Sequence, residues 1–171
     1  MKKRTGIIGV LIAILVLGIG YAAISGVTLN ITGTGTISPD DANFKVHYDT
    51  SVTPTTTLAT GTTTGATATA AYTDELNGTL TVSGFTKKDD SATATYTIIN
   101  ESEDINATLA TPTIGTYNTE YFTVSSSVAS TSLAYGGATT TQTVTVTAIK
   151  TPTDADKTTA INVTLNATPA E

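Results

Sequence analysis

Cysteine and tryptophan do not occur in this chain of 171 residues, the one methionine is Met1 and the one histidine is His47. Without cysteine there is no disulfide, no thiol nucleophile and no lipid-modified cysteine, so stability has to come from packing. A single histidine cannot supply an H-E-x-x-H zinc motif. The serines stand in neither G-x-S-x-G nor S-x-x-K, the contexts that give a hydroxyl a positioned base. We therefore expect a protein that is not an enzyme and that holds no cofactor or metal. Positive charge is scarce as well: eight Lys and Arg face fourteen Asp and Glu, and three of the eight are Lys2, Lys3 and Arg4. Beyond residue 25 the balance is five against fourteen, a formal charge of −9. Binding a phosphate backbone rests on clustered cations that release counterions, so no nucleic acid is expected as a partner.

What is present begins with an address. The run from Gly6 to Ser25 has no charged side chain and directly follows the basic cluster, which is the layout of an export signal. Two fates are open for residues 1–25. An uncharged run of about 20 residues spans a bilayer as a transmembrane helix and can stay as an N-terminal anchor. Cleavage as a signal peptide is favoured by Gly18 and Gly20, each costing about 1 kcal/mol relative to Ala in a helix, and by small residues at peptidase spacing (Gly20 with Ala22, or Ala23 with Ser25). Under both fates the basic cluster stays inside and the remainder goes out. The expected location is extracellular or the cell surface, with membrane contact only through residues 1–25 if they are kept.

Residues 26–171 suit one domain, and their composition is that of strands. Thr, Val, Ala, Ser and Gly dominate, and β-branched side chains pack well on a pleated surface. Apolar residues recur with period two, the signature of half-buried strands. Val27, Leu29 and Ile31 alternate with Thr28, Asn30 and Thr32 in a strand extending to Ile37. Phe44, Val46 and Tyr48 alternate with Lys45, His47 and Asp49. A long loop is expected from Thr50 to Gly65, with a short edge strand near Leu58. Ala66, Ala68, Ala70 and Tyr72 form a strand with a thin inner face, and Leu76, Leu80 and Val82 a further one around Asn77-Gly78, unless that hairpin-turn dipeptide divides it in two. Ala92, Ala94, Tyr96 and Ile98 give the clearest alternation. Short strands follow over Ile105 to Leu109 and Tyr121 to Ser125, and two long ones through Val144, Val146, Ala148 and through Ile161, Val163, Leu165, Ala167. Turn signals between them, with no helical period after residue 25, predict an all-β fold, a single antiparallel β-sandwich of Ig-like or jelly-roll-like kind behind a hydrophobic signal or anchor helix.

The order basic start, apolar stretch ending GIGYAAIS, alternating strand, FKVHYD, and then DDSATATYTIINESEDINATL resembles small exported β-sandwich proteins of Gram-positive bacteria of the TasA and camelysin type, with signals cut by a SipW-like peptidase. The latter segment, with LAYGGATTTQTVTVTAIK and KTTAINVTLNATPAE, is also similar to Ig-like repeats of bacterial surface proteins. The resemblance implies a self-associating surface or biofilm-matrix filament subunit whose first mature strand is donated to a neighbour. The residues that match the donor role are Val27, Leu29 and Ile31. Burying three such side chains contributes roughly 1.5–3 kcal/mol each before entropy is subtracted.

A second reading comes from a different class, a membrane-anchored monomeric binding module or adhesin for cell-wall glycan or another surface protein. Its mark would be an aromatic platform, for which the candidates are Tyr117, Tyr121 and Tyr135. The other candidates read as ordinary surface. His47 is expected to face solvent on its strand. Asp40-Asp41, Asp89-Asp90, Glu101-Glu103-Asp104 and Asp154-Asp156 sit at turns, where carboxylates serve local hydrogen bonds; calcium at such loops has the right oxygen ligands but no EF-hand spacing. The N-x-[ST] pattern at Asn30, Asn77, Asn100, Asn106, Asn162 and Asn166 arises from simple alternation. Thr143, Thr145 and Thr147 make one row of hydroxyls, whereas an ice-binding plane needs several.

Overall fold

Ten residues from Ser91 to Asn100 alternate strictly between half-buried and buried, and the sandwich is built against this strand. The computed structural model describes residues 27–31 (by backbone), 43–153, 157 and 159–170. The expected signal or anchor segment and the continuation of the first strand through Ile37 lie outside these residues, as do Asp40, Asp41, Asp154 and Asp156. Among the described residues every regular element is a strand, and no helix is long and apolar enough to cross a membrane.

The strands are β1 (Val27–Ile31), β2 (Val46–Tyr48), β3 (Thr55–Leu58), β4 (Thr67–Tyr72), β5 (Asn77–Ser83), β6 (Ser91–Asn100), β7 (Ala107–Leu109), β8 (Thr113–Ile114), β9 (Phe122–Val128), β10 (Ser132–Leu133), β11 (Ala138–Ala148) and β12 (Val163–Pro169). They form two sheets. The smaller has the order β2-β6-β11-β9, with β3 lying along the same edge of β6 as β2. The larger has the order β10-β7-β12-β1-β5-β4, with β8 also on β12. Pairing is antiparallel throughout except between β1 and β5, which run parallel.

Alternation decides which side chains meet between the sheets. Phe44, Val46, Tyr48, Ala94, Tyr96, Ile98 and Val144 come from the smaller sheet and its approach; Ala107, Leu109, Val163, Leu165 and Ala167 come from the larger, and all are buried. Three tyrosines take the place of the missing tryptophan. The rings of Tyr48, Tyr72 and Tyr96 lie 5.4–5.8 Å apart, within the range where aromatic pairs add to simple burial. The Tyr96 and Tyr72 hydroxyls also tie the two sheets together, and that of Tyr48 braces the smaller sheet. Tyr96 donates to the Thr79 carbonyl at 2.7 Å, Tyr72 accepts from the Thr97 N–H at 2.8 Å, and Tyr48 donates to Gln142 Oε1 at 2.7 Å. Burial, with the neighbouring rings, raises the Tyr48 hydroxyl well above its ordinary range, so it stays a donor.

Asn77-Gly78 divides nothing; both residues lie inside β5, and the chain reverses just before them. The N–H of Thr73 donates to the Asn77 carbonyl, and Asp74 Oδ1 accepts from the Leu76 N–H. Gly78 is needed for space. A Cβ there would stand 2.9 Å from Tyr96 Cε1, closer than packed atoms come. The turn at Tyr135-Gly136-Gly137 is a real one, with both glycines at positive φ, 76° and 86°, where a side chain costs strain.

Candidate functional site

The donor candidates Val27, Leu29 and Ile31 belong to a strand that sits in the middle of the larger sheet. Along one side β1 pairs with β12 over its whole length, and the register sets Val27, Leu29 and Ile31 opposite Ala167, Leu165 and Val163. Those three partners are core residues, none more than 1 % exposed. Along the other side only Asn30 and Ile31 pair, with Asn77 and Gly78 of β5. In the single chain, then, the strand expected as a free terminus lies in a slot of its own sheet. Two neighbours that do not otherwise pair with each other, β12 and β5, are joined through it.

Beyond Gly78, β5 runs on to Ser83 with no β1 partner among the described residues. A cavity of about 530 Å³ opens at that end of the sandwich. Leu80 and Val82 of β5 and Ile161 ahead of β12 wall it from one sheet; Phe122, Val146 and Ala148 wall it from the other. Sequence reading missed this site, because periodicity shows which face of a strand is apolar but not where two faces part. Of the five lysines after residue 25, three (Lys87, Lys150 and Lys157) line this one cavity, brought together by the fold and not by any spacing along the chain. Lys150 and Lys157 stand over the Tyr121 ring at 4.9 and 5.4 Å from its centroid, and Lys150 also pairs with Glu120 at 2.5 Å. That pair raises the Lys150 ammonium and lowers the Glu120 carboxyl. Both groups are exposed, so it contributes little to stability.

One rim of the cavity is fixed by Asp90, the residue that departs most from its expected role as a solvated turn carboxylate. It has no accessible surface, although the burial is shallow. Its Oδ1 accepts from the Thr63 N–H at 2.8 Å; Oδ2 accepts from the Thr63 hydroxyl at 2.6 Å, the Thr86 N–H at 2.8 Å and the Lys87 N–H at 3.1 Å. Burial works against the charged form, but the bonds from the Thr63 hydroxyl and the Thr86, Thr63 and Lys87 amides prevail and hold the carboxyl at about 2. The loop after β3 and the turn before β6 are thereby fastened to one point. The backbone of Asp89 and Asp90 completes the fastening by exchanging bonds with Ala148, the last residue of β11.

The remaining candidates do not converge. His47 is half-buried rather than solvent-facing, because Nδ1 lies 2.9 Å from the Tyr48 carbonyl and Nε2 3.3 Å from Glu101. Among the described residues no three His, Asp or Glu side chains gather as metal ligands. Tyr117 packs on the core, Tyr121 faces the cavity and Tyr135 is exposed, so the three make no platform. The hydroxyl row is the exception, since the register multiplies it. Thr57, Thr93, Thr145 and Ser125 align across four strands, and Thr55, Thr95, Thr143 and Ser127 align beside them. Within this array Thr93 bonds Thr145 at 2.9 Å and Ser91 bonds Thr147 at 2.8 Å. Cross-strand hydroxyl pairs of this kind stabilise the sheet itself.

No protein family, no characterised protein and no solved structure matches this chain.

Proposed function

We propose that the protein is a non-catalytic, self-associating structural subunit of a cell-surface or extracellular matrix, in which β1 of one copy fills the slot of the next. The observation that carries this reading is the position of β1 between β12 and β5. The strand is five residues long, and withdrawing it uncovers the edge of β12 along Val163, Leu165 and Ala167. An opened slot of that kind presents unpaired N–H and C=O groups above apolar side chains, the surface that accepts a strand from another chain. On its β5 side, among the described residues, the strand gives up only two pairs on leaving. The TasA and camelysin resemblance points the same way, as does the expected cleavage near Ser25. We read the two sheets as an Ig-like or jelly-roll-like sandwich serving as the repeating body.

The test compares intact mass and solution size of the exported protein with a form lacking residues 26–38. The reading expects a mature chain beginning near Ser25 and large assemblies that vanish on truncation, while the truncated body takes up a synthetic peptide of residues 26–38. A full-length mass in the membrane fraction, or a cut protein that is monomeric with and without the strand, refutes it and favours the anchored binding module.

A further inference from the structure

We propose that β9 is a second self-association surface, which pairs antiparallel with β9 of another copy and joins two smaller sheets into one. An exposed strand edge invites pairing, and soluble proteins blunt theirs with short strands, charge, proline or a cover. The two sheets end in four edges, and among the described residues three carry such protection. β10 has two residues. β2 and β3 have three and four, with Pro54 directly ahead of β3. β4 has β3 beside it, the Thr56 hydroxyl donating to the Ala68 carbonyl at 3.0 Å. The fourth edge, β9, is seven residues long with no charged side chain and no proline, and its register with β11 runs from Phe122 to Val128 without a bulge.

The phase of the ladder decides what this edge offers. The Ala129 N–H donates to the Thr141 carbonyl at 2.9 Å and the Ile149 N–H to the Tyr121 carbonyl at 2.8 Å. The odd-numbered residues of β9 therefore bond to β11, and the even-numbered ones turn their N–H and C=O groups outward. Those of Val124, Ser126 and Val128 meet no partner among the described residues. The strand also matches itself. With Ser125 on a two-fold axis, Phe122 faces Val128 of the second copy and Val124 faces its Ser126, so the N–H groups of Val124, Ser126 and Val128 reach the carbonyls of Ser126, Val124 and Phe122 across the axis. Phe122 and Val128 are left only partly covered in the single chain, and each covers the other in the pair, an aromatic and β-branched contact that stabilises a ladder. Copies whose exported parts carry −9 each repel, but β9 brings no charge to the contact, and Glu120 ahead of it is paired with Lys150. A seven-residue strand is about 23 Å long and a sheet about 10 Å thick, well under the roughly 800 Å² per partner of a stable interface, so the contact is weak between two free chains. Where β1 exchange builds filaments, many such contacts in line join two of them side by side.

The test uses the exported protein, whose lack of cysteine lets single cysteines report the register. Thr123, Ser125 and Ser127 are exposed, and residues directly opposite each other on two strands have Cβ atoms about 4.5–5.5 Å apart, near enough for a disulfide. Ser125→Cys should oxidise to a covalent dimer, read on a denaturing gel without reductant, at least about ten-fold faster than Thr123→Cys alone, because two copies of position 123 lie about 13 Å out of register along the strands. An equimolar mixture of Thr123→Cys and Ser127→Cys should link as fast as Ser125→Cys. Adding Ser125→Lys to both members of that mixture should slow linkage at least about ten-fold, and Ser125→Lys on one with Ser125→Glu on the other should restore it, since like charges directly opposite oppose a ladder and unlike charges favour it. Far-ultraviolet circular dichroism checks that each variant keeps its strands. The proposal is overturned if Ser125→Cys links no faster than Thr123→Cys, if paired lysines leave linkage unchanged, or if the opposite charges fail to restore it. Each chain carries one cysteine, on β9, so none of these outcomes depends on whether β1 is exchanged between copies.

Discussion

Replacing Asp90 by Asn keeps the size of the side chain and removes its charge, and the structure says what that does. Four donors converge on the carboxylate: the N–H groups of Thr63, Thr86 and Lys87, and the Thr63 hydroxyl. An amide has one accepting oxygen, so in either orientation its NH2 faces at least one N–H that has no other place to turn. Hydrogen bonds to a charged group contribute roughly 1.5–3 kcal/mol each and are not additive, so a loss of about 2–3 kcal/mol for the whole cluster follows. With a urea slope of about 1–3 kcal/mol/M for a small protein, the midpoint moves down by about 0.7–3 M. The effect also has a signature in pH. The folded carboxyl titrates at about 2 against 3.8 in the unfolded chain, so its contribution is fully present above pH 3.8 and is lost as pH falls through about 2. Urea unfolding of the two proteins should therefore differ most at pH 5 and above and converge near pH 2. Equal midpoints at pH 6, or a difference that does not shrink in acid, would refute the assignment of Asp90 as a buried staple.

Two other substitutions probe the packing and bonding of the buried tyrosines. Gly78→Ala puts a methyl 2.9 Å from the Tyr96 ring and is expected to cost about 1–3 kcal/mol by overpacking, read as a lower thermal midpoint; an unchanged midpoint would mean that the ring moves aside freely. Tyr48→Phe leaves Gln142 Oε1 without its buried donor and should cost about 1–2 kcal/mol in urea, whereas the double change Tyr48→Phe with Gln142→Leu recovers part of the loss, since removing both partners of a buried bond is milder than removing one.

How much of this could be read in the sequence depends on the distance over which each signal acts. Strands were legible wherever one face is buried. Ala92 to Ile98, Phe44 to Tyr48 and Val163 to Ala167 declare themselves because each side chain reports its own burial. Two-residue strands such as Thr113–Ile114 and Ser132–Leu133 are too short to alternate and were not foreseen. Asn77-Gly78 carried a true turn composition for another reason, the close approach to Gly78 of a ring from Tyr96, eighteen positions further along the chain. Asp89 and Asp90 look identical as a turn pair, and only the arrival of Thr63 from the preceding loop separates the solvated one from the staple. The cavity and the multiplied hydroxyl rows are likewise products of pairing order, which local patterns do not encode. For the candidate assembly strand, periodicity named Val27, Leu29 and Ile31, but its place between β12 and β5 came from the fold.

Because the chain has no cysteine of its own, a pair introduced at Thr28 and Asn166, which face each other in the β1–β12 register, forms the only disulfide available and reports whose β1 occupies the slot. Assemblies of the Thr28→Cys, Asn166→Cys protein are oxidised and run on a denaturing gel without reductant. Exchange of β1 between copies predicts a ladder of covalently linked chains that collapses to one band on reduction. A single band of internally closed monomers from the assembled material would contradict it.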